Sequence, residues 1–400
     1  MNNYSKNKNF TLYINTLLGL YIASQILFPL SSNIIISNII NIILVISYIA
    51  YKIVQRNSYF KINSFLITYT LFLIFSFSSL LWTIDFFTTL DSTKTIFILT
   101  ITIYIIYNIC KEFENATNFI LYGLIFSAFV NYLIALGLYE YVTEFTNPIR
   151  LVGTLARSTN LAITMIMSLF ASLYLLQKHS NSKLIQIILF TSVIMSLYTV
   201  MLTVAKKGII ISLLLVVGYI LINSKSIKKM VKMTFFIVTT LVIISSFYST
   251  EFLLAIENIL DRFSDFNLAI DSTNQHSSTG ERLYFINRGL EIISNNPFLG
   301  TGLDTFRFQN HFNTYSHNNY IEIGSNLGLI GFIIYYSIYV ILIINIRFIK
   351  NNIEKYLIFL LLIGFLLMDF ALISYNYKLM IFILLFISIK EDHGYSYEKS

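Results

Sequence analysis

Apolar residues run along most of this chain without the alternation of half-buried strands, and the runs reach the length that crosses hydrocarbon as a helix. The pattern predicts apolar helices over about residues 10–30, 33–54, 64–82, 93–110, 116–139, 158–177, 184–204, 208–223, 232–249, 319–346, 353–374 and 376–390. Only Pro29, Pro148 and Pro297 supply proline breaks. The longest gap, 250–318, differs in kind: it carries twelve Asp, Glu, Lys or Arg residues and three of the five His, as a small solvated or half-embedded subdomain would. The expected fold is an all-α polytopic membrane protein of about 12 transmembrane helices. Helices one to nine fill 1–249, a large external loop with amphipathic helices fills 250–318, helices ten to twelve fill 319–390, and 391–400 is a cytoplasmic tail. The first segment is a full span followed by others, unlike a cleavable signal peptide.

Composition agrees with this architecture. Hydrophobic residues make up 56% and charged residues 12% of the chain, with a mean hydropathy of +0.71, too little polar surface for a soluble fold. Unalternated Ile, Leu and Phe runs argue against a β-barrel. A net charge of +7 raises the possibility of nucleic acid, but its distribution points elsewhere. Lys and Arg cluster at the N-terminus and in every second connection: at Lys52, Arg56 and Lys61, at Lys111, at Lys178 and Lys183, at 225–232 and at 347–355. The positive-inside rule then puts both termini in the cytoplasm, and no nucleic-acid partner is expected. The single Cys110 excludes an intramolecular disulfide and a thiolate metal site. Abundant Asn, Ile, Lys and Tyr are the usage of an AT-rich bacterial genome.

Cations in the opposite, external connections are not explained by orientation, and they are the candidate chemistry. Lys206 and Lys207 sit in LTVAKKGIII, where one helix ends and the next begins with almost no loop. A charge near the hydrocarbon boundary is costly unless paired or solvated; the alternative is interfacial snorkelling. Arg150 and Arg157 flank LVGTLARSTN, where Arg157 and Asn160 join helix N-terminal amides that suit an anion or simply cap the helix. In the large loop, Arg282 opens an amphipathic segment whose Leu283, Ile286, Leu290 and Ile293 recur at helical spacing, with Arg288 and Glu291 as i,i+3 partners. Ser316 is a plausible N-cap, so that His317 would begin the tenth helix at its external end. A lone His is more often structural, but an imidazole in this place suits proton transfer near neutral pH. Glu322 is an expected intramembrane carboxylate that pairs with a cation or meets polar substrate, and Gly324, Gly328 and Gly331 form a stripe for close helix approach.

At these residues the chain resembles a family. SHNNYIEIGSNLGLIG fits His, then Asn, then nine residues, then Gly-x-x-Gly, a pattern of the O-antigen ligase and Wzy-type polysaccharide polymerase superfamily. GERLYFINRGLEIISNNPFLGTGLDTF is similar to that family's arginine-bearing helix and its Pro-x-x-Gly-x-Gly-x-x-x-Phe element. SSLLWTIDFFTTLDS, RLVGTLARSTNLA and LTVAKKG resemble further elements in the same order, over about 75–345. The last departs from the family by carrying Lys where Arg is usual, and Lys meets phosphate as a point charge without a bidentate fork.

The resemblance implies a GT-C-like membrane glycosyltransferase working at the outer face of the bacterial cytoplasmic membrane on undecaprenyl-diphosphate-linked oligosaccharide. His317 matches the family's essential histidine, Arg282 its large-loop arginine, and Lys206 or Lys207 the cation of the helix break. Lys206, Lys207 and Arg157 are expected to bind diphosphate, and Asn318, Glu322, Arg288 and Asn160 the substrate. A chain-length regulator and a flippase are further candidate partners. No Asp-x-Asp pair of the kind that holds a divalent ion on a nucleotide sugar is present, so no metal, nucleotide or other cofactor is expected. Polymerase is preferred over ligase, since nothing indicates a lipid A pathway; a flippase is the rival of another class, though this chain shows no internal repeat.

Overall fold

The computed structural model describes residues 8–28, 34–56, 59–137, 143–144, 147–155, 157–178, 182–224, 228, 231, 234 and 278–398. Eight apolar helices come first: α1 (Lys8–Leu27), α2 (Ile34–Val54), α3 (Ser64–Ser78), α4 (Phe86–Glu112), α5 (Ala116–Gly137), α6 (Ser158–Lys178), α7 (Lys183–Leu202) and α8 (Lys206–Asn223). Then follow α9 (Ser278–Asn295), α10 (Asn319–Asn345), α11 (Asn352–Met368) and α12 (Lys378–Glu398). A short ladder of β1 (Thr143–Glu144) and β2 (Asn147–Leu151) joins α5 to α6, which apolar periodicity alone did not foretell.

The chain is a multi-pass helical membrane protein. Among the described residues nine helices are long and apolar enough to cross a membrane, against the twelve expected. Apart from residue 234, the span expected at 232–249 lies outside the described residues. α11 ends after 17 residues at Met368, short of the expected 374. α12 carries its apolar run straight into Lys390, Glu391 and Asp392, so the expected cytoplasmic tail is helical as far as Glu398. α4 begins at Phe86 rather than 93, because Asp85 accepts the Thr88 N–H at 2.8 Å and caps the helix there. That bond holds the Asp85 carboxyl below its ordinary range.

The chain divides into two compact units, Met1–Tyr59 with Asn108–Phe263 and Ile349–Gly364, and Phe60–Tyr107 with Ser264–Phe348 and Phe365–Ser400. In the first, α1 and α5 cross so closely that a Cβ on Gly123 would meet the Gly19 carbonyl. Lys52 pairs with Glu112, Lys178 donates to Asn118 at 3.0 Å, and Tyr174 donates to Glu354 at 3.0 Å. The ends of α2, α4 and α6 and the starts of α5 and α11 thereby share one end of that unit, the alternation that the basic connections predict.

In the second unit α9 packs parallel to the first half of α10. Phe285 faces His317, Gly289 admits the Ile321 side chain, and Ile293 lies against Gly324, an offset that stays nearly constant along the pair. The buried stripe of α9 is therefore Phe285, Gly289 and Ile292, which join Phe306 and Ile321 in one cluster. Leu283 and Leu290, expected in that stripe, are 52% and 53% exposed. Two apolar stripes overlap on this helix: Ile286 borders the cluster and Ile293 meets Gly324, while Gly289 admits Ile321 between Phe285 and Ile292.

α10 is not one straight rod. Gly328 has φ 62° and ψ −166°, which divides the helix into 319–327 and 329–345. Into the break fits the corner 297–302. Leu329 and Ile330 N–H donate to the Pro297 and Phe298 carbonyls at 2.8 and 3.3 Å, while Thr301 and Gly302 N–H donate to the Ser325 and Asn326 carbonyls at 3.2 and 2.8 Å. The backbone groups orphaned by the break are thus satisfied by another segment's backbone, as an apolar setting demands. A Cβ on Gly300 would strike the Asn326 carbonyl group, and one on Gly328 the Phe298 carbonyl group. Of the expected small-residue stripe, Gly324 does meet a helix, α9, and Gly331 lies against Phe75 of α3, but Gly328 serves the break.

Gly328→Ala and Gly300→Ala should each lower the thermal unfolding midpoint of the detergent-solubilised protein, because a positive φ costs a side chain roughly 1–2 kcal/mol before any clash with backbone. Gly324→Ala should cost less, since its nearest neighbour is the mobile end of Ile293, at 2.8 Å.

Candidate functional site

The segment leading into α10 is built by polar side chains turned inward. Asn318, not Ser316, caps the helix: its Oδ1 accepts the Tyr320 and Ile321 N–H groups at 3.0 and 3.4 Å. His317 therefore precedes the helix instead of opening it, in the left-handed region at φ 56°. Its half-buried ring lies 4.3 Å from the Tyr315 ring and 6.0 Å from the Phe285 ring, centroid to centroid. Ser316 sets the turn by donating its hydroxyl to the Asn318 carbonyl at 2.8 Å.

Glu322 holds this turn from below. One carboxylate oxygen accepts the Ser316 N–H at 2.8 Å and the other accepts the Asn326 amide at 3.0 Å, with the residue 0% exposed. Asn326 in turn accepts the Phe306 N–H at 2.8 Å. Glu322 thus links the His317 turn to the Phe306 turn, with both carboxylate oxygens engaged inside the protein. Arg288 is also tied inward. Its Nε donates to the Gln309 carbonyl at 2.6 Å and its Nη1 pairs with Glu291 at 2.7 Å, the expected i,i+3 bridge. Arg282 is exposed on the second turn of α9. By the parallel register it stands level with the chain just before Ser316, at the same end of the helix pair as His317.

The corner 297–302 is gripped on its other edge by the turn between α3 and α4. Trp82 Nε1 donates to the Leu299 carbonyl at 3.1 Å, Ile84 N–H to the Thr301 carbonyl at 3.1 Å, and Thr89 Oγ1 to the Leu303 carbonyl at 2.9 Å. Another support was missed in sequence. Asp369 is fully buried, and its Oδ2 accepts Tyr336 OH at 2.9 Å and Asn319 Nδ2 at 3.2 Å, while the Asn319 N–H donates to the Asp369 carbonyl at 2.7 Å. These bonds fix the first residue of α10. The available signal was a lone carboxylate in the apolar stretch LLLIGFLLMDFALISY.

The remaining candidates belong to the first unit, and they gather there. Gly208 of α8 packs on Ala162 of α6, so the starts of these two helices lie side by side. Lys206 and Lys207 are the first two residues of α8, both half-buried. Arg157 is exposed just before α6, and Asn160 is half-buried in its first turn, where its carbonyl accepts the Thr164 hydroxyl at 2.9 Å. Arg150 Nε donates to the Thr203 carbonyl at 3.3 Å, which adds a third basic side chain to the α7–α8 turn. Cations at helix N-termini oppose the local dipole, and the same amides and charges together draw an anion. The structure thus groups Arg157, Asn160, Lys206 and Lys207 in one unit, and His317, Asn318, Glu322, Arg282 and Arg288 in the other.

Glu322→Ala should leave the Ser316 N–H and the Asn326 amide without acceptors, a loss of about 1–3 kcal/mol for each buried donor. A lowered unfolding midpoint, with Glu322→Gln intermediate because it keeps one acceptor, is the expected outcome of a thermal unfolding series.

Among curated proteins, none matches this chain. Residues 190–336, which run from α7 to Tyr336 of α10 and include Lys206, Lys207, Arg282, the glycine corner and His317, match the family described as O-antigen ligase, consistent with a resemblance to the O-antigen ligase/Wzy superfamily.

Proposed function

We propose that this protein is a metal-independent, GT-C-like glycosyltransferase that polymerises undecaprenyl-diphosphate-linked oligosaccharide repeat units at the outer face of the cytoplasmic membrane, with both termini cytoplasmic. The observation that carries the proposal is the parallel seating of α9 on the first half of α10, which brings the Arg282 end of one helix and the His317 end of the other to one end of the pair. Two helix N-termini and a guanidinium at that end favour a developing negative charge.

In this reading an acceptor sugar hydroxyl attacks C1 of the donor glycan. The new C–O bond forms as the C1–O bond to the diphosphate breaks, the electron pair leaves with undecaprenyl diphosphate, and the hydroxyl proton passes to the His317 imidazole. The anomeric centre inverts. Arg282 stabilises charge on the leaving diphosphate; within the first unit, Lys206, Lys207 and Arg157 are proposed to bind a diphosphate and Asn160 a sugar, as the family resemblance implies. Asn318, Glu322 and Arg288 act through the segment they hold. The family's own description favours a second reading, O-antigen ligase, in which the same chemistry serves a different acceptor.

Purified protein incubated with its own organism's undecaprenyl-diphosphate oligosaccharide should yield a ladder of products by gel and mass spectrometry. His317→Ala should slow its formation by about 10²-fold or more, the usual weight of a general base, and Arg282→Ala should do so with the fold retained. A ladder from His317→Ala equal to that of the native protein would remove the imidazole from the reaction. No extension until another acceptor is added would establish the ligase, and transport of unaltered substrate across vesicles the flippase. Turnover should persist in EDTA; loss there, restored by a divalent ion, would overturn metal independence.

A further inference from the structure

The break in α10 falls at a particular height. Residues 329–348 alone rise about 30 Å, which is already the thickness of the hydrocarbon core. Arg347 stands at their end, a basic residue suited to a headgroup region. The half-helix 319–327 is in excess of what a span needs, and its sequence, NYIEIGSNL, is far more polar than the LIGFIIYYSIYVILIIN that follows Gly328.

A separate set of contacts marks the same level. α3 and its 3₁₀ continuation form a span that ends at Leu81, and the turn after it is bonded to the corner through Ile84 and Trp82. The end of one span, the start of α4 and the break in α10 are therefore held at one height by hydrogen bonds. The side chains around that height are apolar and turned outward. Leu81, Phe87 and Phe298 are 87%, 77% and 63% exposed, and Phe86 and Leu299 are exposed beside them. Leu299 and Phe298 also adjoin Leu329 and Ile330, exposed residues that begin the spanning half of α10. This surface is continuous with the lipid-facing side of a span, and it carries the single Trp of the chain, a residue favoured at membrane interfaces.

We infer that the hydrocarbon boundary on the side away from Arg347 passes through the Gly328 break, and that Trp82, Phe298 and Leu299, with Leu81, Phe86 and Phe87, form a wedge seated in the headgroup–acyl boundary of that leaflet. α9 and the half-helix 319–327 then stand beyond the hydrocarbon, with His317 up to about 16 Å farther along the α10 axis. Glu322 is a carboxylate buried in protein, not in lipid. The inference rests on span length, exposure and hydrogen bonding, and is independent of the glycosyltransferase reading.

Trp82 makes it measurable in the native chain. The full-length protein is reconstituted in phosphatidylcholine vesicles whose acyl chains carry bromine either near the ester end or near the methyl end. The Trp82 emission should be blue-shifted, lose most of its intensity to the shallow bromines and less to the deep ones, and resist aqueous iodide. In a Trp82→Phe background, Phe298→Trp should behave in the same way, whereas His311→Trp should be quenched by iodide and not by lipid. Iodide quenching of Trp82 with no response to brominated lipid would put the corner in water and overturn the inference. Strongest quenching by the deep bromines, with His311→Trp also quenched by lipid, would overturn it in the other direction by sinking the break into the bilayer. Should either variant fail to fold, the native Trp82 signal still decides the placement of the wedge.

Discussion

The second unit depends on one crossing of two backbones. Where Gly328 turns out of helical geometry, α10 loses its own hydrogen bonds, and the corner 297–302 replaces them from both sides. This is possible only because Gly300 and Gly328 present no Cβ to the opposing carbonyl. Packed backbone against backbone, an orphaned amide there would be buried without a partner, and the exchange supplies one. The corner is then also bound to the α3–α4 turn, so three segments distant in sequence share one small polar junction. The motif Pro-x-x-Gly-x-Gly-x-x-x-Phe is the covalent statement of that junction: Pro297 offers a carbonyl, Gly300 and Gly302 admit neighbours, and Phe306 is buried on the cluster beneath.

From this junction the His317 segment follows. α9 emerges before the corner and α10 begins after the Phe306 turn, so fixing the crossing fixes how the two helices lie side by side. Glu322 and Asn326 then bridge the two turns, and Asn319 with Asp369 ties the start of α10 to the chain after α11. His317 is held by its neighbours' bonds in a backbone conformation that few residues adopt. A group that is to meet a substrate in one orientation gains from such support, because less motion remains to be frozen when the substrate arrives.

Charge is arranged differently in the first unit. There Lys206, Lys207, Arg150 and Arg157 collect around the adjoining starts of α6 and α8, where the dipoles already disfavour cations. Basic side chains and helix N-terminal amides gathered at one place raise the local positive potential. The ion pairs at the other end of that unit, Lys52 with Glu112 above all, are balanced and closed.

Hydropathy settled most of the helices, because burial in lipid acts on each run of residues separately and needs no knowledge of neighbours. The Arg288–Glu291 bridge was legible for a similar reason, since an i,i+3 pair on one helix needs no distant neighbour. Tertiary structure decided what no local rule holds. The buried face of α9 was half legible: Ile286 and Ile293 pack inward as the spacing expects, while Leu283 and Leu290 do not, because Gly289 admits Ile321 and turns Phe285 and Ile292 into the core. The helix start moved to Asn318 because Ser316 is needed for the turn, and Glu322 became a brace because its partners come from the turn and the next helical step. Gly328 looked like part of a packing stripe until the corner was seen to fill the break. Each of these depends on which distant backbone lies alongside, and sequence spacing along one element carries no record of that.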